Sequence, residues 1–467
     1  MSTFGVIVST RSFFPAKLAE EGRRAIISKL ENMGHNYVVL SERDTLYGAV
    51  ETMDNAKKCA KLFQSNKDII DGIIVVLPNF GDEVGVVNAI KMADLDVPIL
   101  VQACDDEIDK MDINCRRDAF CGKLSVCNNF YQYGIKFTDT SLHTCSIDSD
   151  EFTNDIVFFS KVCRVVKGIK CCRIGAIGTR PAAFQTVRYS EKLLQDSGVT
   201  VVPVDLSEII FSAQKMKLTK EVEDKIIEIK AYGTIPSYIN EENIIKQAKL
   251  CIVIEKWIKD NECNASAIQC WSSIQENYGC ATCLSMSMMG EKGIPSACEA
   301  DVTGALTMYA LYLASGEPSG YLDWNNNYTS DRNKCISIHC SNYPKSFIGK
   351  EFEISNLDIL GKTLGADKCF GACKATIAGG PMTYAKITTD DTNGKIKVYF
   401  GEGEFLNGEV NTMGGVALCN VADLQCLLKY ICKNGFEHHV AMNRSASADV
   451  LEEALGKYLC WDVYKHN

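Results

Sequence analysis

The sequence predicts an α/β protein of two doubly wound, Rossmann-like domains, residues 1–168 and 169–345, followed by a β-rich C-terminal domain, residues 346–467. Three observations carry this. Short apolar runs alternate with helical patterns from the start, as parallel sheets with crossover helices require. The alternation restarts near residue 170, after a helical stretch from Glu151 to Val166. Beyond His339 the texture changes to alternating, turn-rich segments.

Phe4 to Ser9 reads as the first strand, Pro15 to Met33 as a helix stopped by Gly34, and Tyr37 to Leu40 as the second strand. Gly72 to Pro78 and Val97 to Val101 continue the series, with a helix from Glu83 to Met92 between them. Asp105 to Thr140 is polar and weakly periodic, and reads as a long functional loop or a connection between domains. In the second domain, strands are expected at Cys172 to Ile177, Val199 to Val204 and Ala265 to Cys270. Helices are expected at Phe184 to Leu194, Lys215 to Lys230, Glu241 to Asn261 (capped by Asn240) and around Cys283 to Gly290. Ile294 to Ala297 ends a further buried strand. Apolar positions from Ala305 to Leu313 then mark a helix running to Ser315, with Gly316 as a left-handed stop. Tyr321 and Leu322 read as a short strand that brings Asp323 to the same edge of a parallel sheet as Glu299. Strands at Lys374 to Gly380, Thr383 to Thr388, Lys395 to Gly401 and Gly414 to Leu418 complete the β-rich domain, with a hairpin turn at Asp391 to Gly394.

A net charge of -10 disfavours nucleic acid, and no run of basic residues is interleaved with aromatics. The first residues lack a basic and apolar leader, and no apolar run is long enough to span a bilayer, so a cytoplasmic protein acting on small solutes is expected. The 23 cysteines are spread through strands and helices and read as reduced, buried small hydrophobes. The Cys280/Cys283 and Cys369/Cys373 spacings lack a second pair at zinc-ribbon distance. The turn after the first strand has no GxGxxG, which disfavours an NAD-linked oxidoreductase.

Glu299 and Asp323 lie at the ends of elements, and so do two of the six histidines, His339 and one of the adjacent pair His438 and His439. Neighbours on a strand face opposite sides, so one of that pair is expected to point into a given site. Two carboxylates and two imidazoles suit Mn²⁺, or another divalent cation such as Mg²⁺ or Co²⁺, and leave positions open for two substrate oxygens. Acids at helix starts also complement the helix dipole, and Asp301 is read as a cap of that kind.

At these residues the chain resembles the superfamily of L-fucose and L-arabinose isomerases, divalent-metal aldose-ketose isomerases. The resemblance rests on CEADVTGALTMYAL (298–311), LDWNNNY (322–328), SIHC (337–340) and FEHHVAM (436–442), and more weakly on IGTRPAAF (177–184). It covers roughly residues 170 to 467 in order. It implies Glu299 and Asp323 as metal-binding acids that share proton transfer, His439 in preference to His438 as the late histidine ligand, and His339 lining the metal site. Asp at 323 follows the fucose branch and His339 the arabinose branch, which leaves the sugar open among L-fucose, L-arabinose, another pentose or hexose, and an anionic 6-substituted sugar such as a sulfo-sugar.

The implied reaction is an ene-diol proton transfer between C2 and C1 of an open-chain monosaccharide. Arg180, in the turn GTRP, is the candidate substrate-positioning cation. Trp271, Gln275, Trp324, Asn325 and His438 are candidate walls of the sugar site. The resemblance also implies a homo-oligomer, hexameric or built from trimers, in which the first domain of one copy closes the site of its neighbour, so that Arg11 would act in trans. A non-catalytic sugar-binding or sensor protein built from two α/β units is the rival reading.

Overall fold

Five parallel strands make the first sheet of the computed structural model, which describes residues 1–412 and 414–466. They are β1 (Thr3–Val8), β2 (Asn36–Val39), β3 (Gly72–Leu77), β4 (Ile99–Ala103) and β5 (Thr138–Asp139), in the order β2-β1-β3-β4-β5. This is a doubly wound order, with helices covering both faces. Every residue of β3 is buried, which explains its unbroken apolar run. Helix Lys17–Asn32 buries Leu18, Ala19, Gly22, Ile26 and Leu30, one stripe at helical spacing. The chain divides into two compact units, Met1–Lys167 and Gly168–Asn467, and this sheet belongs to the first.

Two helices of this unit depart from the sequence expectation. Met53–Gln64 is capped by a reciprocal Thr52/Asn55 box. Residues 105–140, expected as a loop or connection, contain helix Ala119–Gln132, which buries Ala119, Gly122, Lys123, Val126 and Phe130. Its other face exposes Phe120, Leu124 and Tyr131, so apolar residues lie all round and the periodic contrast is lost.

The second unit opens with a parallel sheet of β6 (Arg173–Ile177), β7 (Thr200–Val204), β8 (Ala265–Ile268) and β9 (Ser296–Ala297), in the order β7-β6-β8-β9. Where one helix was expected from Phe184 to Leu194, only Glu191–Asp196 is α-helical, because Ser190 caps it by accepting from the amide of Leu193. Helix Leu206–Lys215, capped by Asp205, was not anticipated.

The main correction concerns the strand bearing Asp323. It is β10 (Ser319–Asn327), nine residues long, and it pairs antiparallel with β11 (Lys334–His339) instead of joining the parallel sheet. After a small hairpin of β12 (Glu353–Asn356) and β13 (Phe370–Lys374) come β14 (Gly380–Asp390), β15 (Lys395–Phe405), β16 (Gly415–Asn420), β17 (His439–Asn443) and β18 (Asp462–His466). The larger sheet runs β14-β17-β10-β11-β16-β15-β18, and a further β14–β15 pairing closes its first six strands into a ring. The strand expected over Lys374 to Gly380 lies on either side of it, in β13 and β14. The hairpin expected at Asp391 to Gly394 joins β14 to β15, with Asp390 opposite Lys395.

Helix Val302–Ser315 joins the parallel sheet to this ring. It is buried on nearly every side, which its lack of a polar face requires. Gly304 lets β10 approach it: a Cβ there would lie 2.2 Å from the Tyr321 hydroxyl. We expect Gly304→Ala to destabilise the protein by about 1–3 kcal/mol through overpacking, read as a lowered melting temperature.

Candidate functional site

β9 ends at Ala297, and residues 298 to 301 turn the chain into helix Val302–Ser315. Glu299 and Ala300 are both left-handed, with φ of 61° and 57°. That geometry costs non-glycine residues about 1–2 kcal/mol each. It is held by the Ala300 amide donating to the Ile268 carbonyl at 3.1 Å and the Asp301 amide to the Cys298 carbonyl at 3.1 Å. The turn buries the Glu299 carboxylate.

Asp323 on β10 lies directly opposite His439 on β17, so both side chains share one face. His439 Nε2 is 3.2 Å from Glu299 Oε2 and 3.6 Å from Asp323 Oδ1. His339 Nε2 and His438 Nε2 are 3.7 and 3.9 Å from the same Asp323 oxygen. The structure thus brings both adjacent histidines to Asp323, although alternation predicted one. His438 precedes the first residue of β17, so strand alternation does not govern it. His439 is buried and His438 half exposed.

Glu299 Oε2, Asp323 Oδ1, His439 Nε2 and His339 Nδ1 are buried polar atoms without hydrogen-bond partners. Such atoms are costly unless something satisfies them. Ligand atoms of Glu299, His339 and His439 lie within 4.8 Å of one another, as do those of Asp323, His438 and His439. A divalent cation fits this oxygen and nitrogen donor set.

Beneath these residues sits Asp301, which does more than cap a helix. Its Oδ1 accepts from the Gly304 amide at 2.7 Å and Thr303 Oγ1 at 2.9 Å. Its Oδ2 accepts from Lys386 Nζ at 2.8 Å, from His439 Nδ1 at 3.0 Å and from the Tyr321 hydroxyl. Binding His439 through Nδ1 leaves Nε2 as the free lone pair facing Glu299 and Asp323, the arrangement that orients a metal-ligating imidazole. Burial works against the ionised Asp301, but Lys386 and His439 outweigh it and hold its carboxyl well below the usual range. Lys386 is fully buried on β14. A lysine in the middle of an apolar strand is itself a signal of a buried partner.

Electrostatics separate the three histidines. For His339, burial opposes protonation, yet Asp323 and then Cys340 outweigh it and push the pKa up to about 10. Burial also opposes protonation of His439, but the hydrogen bond to Asp301 and the nearby Glu299 carboxylate outweigh it and raise its pKa. Burial, and then the neighbouring His439, lowers that of His438. Glu437, whose Oε1 accepts from Thr388 Oγ1 at 2.8 Å, is raised chiefly by burial.

A cavity of about 780 Å³ is lined by Ala300, which follows Glu299, by Glu437, which precedes His438, and by Thr388, while Glu299, Asp323 and the three histidines do not themselves line it. Arg180 lines it, with its guanidinium near the carbonyls of Pro181 and Ala182. Arg188, which the sequence reading did not single out, lines it too. Trp271 stacks edge-on against Phe184, itself 6.4 Å from the His438 ring. Gln275 is fully buried and donates to the Cys270 carbonyl. Trp324 donates from Nε1 to the Tyr399 hydroxyl at 3.0 Å and packs on the ring's core, while Asn325 is exposed at a bulge in β10. Arg11 belongs to the first unit, where it pairs with Glu83 and Asp82 and lies over the Phe80 ring.

Residues 5–170 match the family model described as fucose/sulfoquinovose isomerase, N-terminal domain, and residues 337–467 match L-fucose isomerase, C-terminal domain. The chain belongs to the L-fucose isomerase family. It is 28% identical over 180 residues to a sulfoquinovose isomerase of Priestia megaterium, covering 38% of this chain and 40% of that protein. It is 23% identical over 298 residues to a sulfoquinovose isomerase of Alkalicoccus urumqiensis, covering 63% and 64%. The matched segments span less than two thirds of either relative. Among solved structures, a galactofuranose binding protein is matched at 11% identity over 67% of this chain and 88% of that one, with a TM-score of 0.15, too low to bear on the fold. No helix among the described residues is long and apolar enough to cross a membrane.

The opposed histidine shifts have a direct reading. A pKa raised from 6.5 to about 10 makes His339 contribute stability that is complete below pH 6.5 and lost as the pH climbs towards 10. Imidazole nitrogen NMR of the metal-free protein near neutral pH should show His339 protonated and His438 neutral, and Asp323→Asn should bring the His339 midpoint down.

Proposed function

We propose that this protein is a metal-dependent aldose-ketose isomerase that moves a proton between C2 and C1 of an open-chain monosaccharide. The observation that carries the reading is the convergence of Glu299 Oε2, Asp323 Oδ1 and His439 Nε2, all buried and unpartnered. Glu299, Asp323 and His439, with His339 at the margin, would hold Mn²⁺ or a similar divalent cation. Such an ion supplies Lewis-acid polarisation of the carbonyl, which acidifies the neighbouring C–H.

The chain's own groups account for the rest. Glu299 and Asp323 are the carboxylates placed to take the C2 proton and return it at C1, a step worth about 10²- to 10⁴-fold. Asp301 fixes the His439 ring through Nδ1. The Lys386 and Tyr321 contacts keep Asp301 ionised and immobile. Arg180 and Arg188 place positive charge on the cavity wall, which together with the relatives' names favours an aldose bearing an anionic group at C6, such as a sulfonate. The same reading includes a homo-oligomer in which Arg11 of one copy serves the site of another.

A panel of neutral and 6-sulfonated aldoses, assayed for ketose with Mn²⁺ and with chelator, tests the activity. We expect turnover of a sulfonated aldose that chelator removes, and a Glu299→Gln protein that is folded but inactive. Near wild-type turnover by Glu299→Gln would overturn the assignment. Asp301→Asn should weaken Mn²⁺ binding by about 10- to 100-fold, measured by calorimetry or by the free-ion EPR signal.

A further inference from the structure

Directly behind the carboxylates lies a second group of metal-ligating side chains, of opposite chemical character. Cys298 immediately precedes Glu299, and Cys340 immediately follows His339 at the end of β11. Ligand atoms of Cys298, His339 and Cys340 all lie within 4.8 Å of one another. Cys270, two residues beyond β8, is in side-chain contact with both Cys298 and Cys340, and Cys340 is also in contact with the His339 ring. The ends of β9 and β11 thus bring two thiols and one imidazole together, and the Cys270 thiol, from beyond β8, stands beside both thiols.

The imidazole supplies an independent sign of a ligand. His339 is almost fully buried, its Nε2 faces Asp323, and its Nδ1 has no hydrogen-bond partner. The thiols are free, and Cys270 and Cys298 are fully enclosed. Ligands of one tetrahedral zinc ion, with Zn–S near 2.3 Å and Zn–N near 2.0–2.1 Å, stand about 3.3–3.8 Å apart, a range compatible with the 4.8 Å that bounds the separations of Cys298, His339 and Cys340.

We propose that Cys298, Cys340 and His339 Nδ1, with the Cys270 thiol beside them as the fourth ligand, form a tetrahedral site for a thiophilic divalent ion of the Zn²⁺ class, separate from the oxygen-rich site of Glu299, Asp323 and His439. Thiolate donors select such ions, whereas Mn²⁺ prefers carboxylates. Binding breaks each ligating S–H bond and releases its proton to solvent as the metal–sulfur bond forms, with no change of oxidation state. With Nδ1 committed to the ion, Nε2 carries the ring proton and donates towards Asp323. The carboxylate–histidine pair then orients the ligand, and His339 is withdrawn from the oxygen-rich site.

Co²⁺ tests this, because thiolate ligation gives a near-ultraviolet charge-transfer band that oxygen and nitrogen ligands do not. The titration uses the full chain under a non-chelating reductant, with the six exposed cysteines replaced by serine. We expect the band to saturate at one equivalent, to be displaced by one equivalent of Zn²⁺, and to be lost in Cys298→Ser/Cys340→Ser. The single variant Cys340→Ser, altered at the partly buried thiol, should weaken it at least tenfold, and the melting temperature of each metal-free variant reports its folding. Absence of the band in the parent protein, or an unchanged band in a folded Cys340→Ser variant, would overturn the proposal. The readout does not depend on turnover, so it stands or falls separately from the isomerase reading.

Discussion

The carboxylate of Asp301 is the constraint on which the site depends. Its two oxygens accept five hydrogen bonds, from the helix start, from β14, from β10 and from His439 on β17. It therefore ties the parallel sheet, the buried helix and the closed ring together at one atom group. A buried ion pair with Lys386 is weak evidence for stability, since desolvating both charges consumes much of their attraction. Here the pair has a positional consequence. An ionised Asp301 can accept from His439 Nδ1, and only then is Nε2 left bare toward Glu299 and Asp323. Removing either partner would leave the other charge buried without compensation.

The site forms where two kinds of sheet meet. Glu299 comes from the carboxyl end of a parallel strand, the edge where open α/β sheets bind ligands. Asp323 and His439 are paired residues of an antiparallel ring, placed by strand register. Neither architecture alone would converge two acids on one imidazole. The helix Val302–Ser315 sets the spacing between them, and Gly304 allows the close contact with Tyr321 on which that spacing rests.

This division explains what could be read in advance. Glu299, Asp323, His339 and His439 were legible because their types and positions at element ends point to ligand chemistry, and the family resemblance named the same residues. The parallel sheets were legible in apolar runs such as β3. What escaped depends on long-range pairing. Tyr321 and Leu322 look alike in a parallel or an antiparallel strand, and only the partners β11 and β17 decide between them. Asp301 was legible as a cap because capping is local. Its bonds to Lys386 and His439, 85 and 138 residues away, leave no local trace. Helix Ala119–Gln132 was missed for another reason, its apolar outer face.

The thiol cluster adds a constraint on metal choice. Intrinsic affinity for nitrogen and oxygen donors rises from Mn²⁺ towards Zn²⁺, so an oxygen-rich site cannot by itself favour Mn²⁺ over Zn²⁺. A set of softer donors a few ångströms away changes the comparison, because an ion that prefers sulfur then has a better place than the carboxylates. The two sets are coupled through one ring. If His339 binds through Nδ1 its Nε2 holds a proton, and if it binds through Nε2 that lone pair serves the oxygen-rich site. One imidazole cannot do both without losing its last proton. Occupation of the thiol set would therefore change the oxygen-rich site from a four-donor to a three-donor set, freeing a coordination position while adding a hydrogen bond to Asp323.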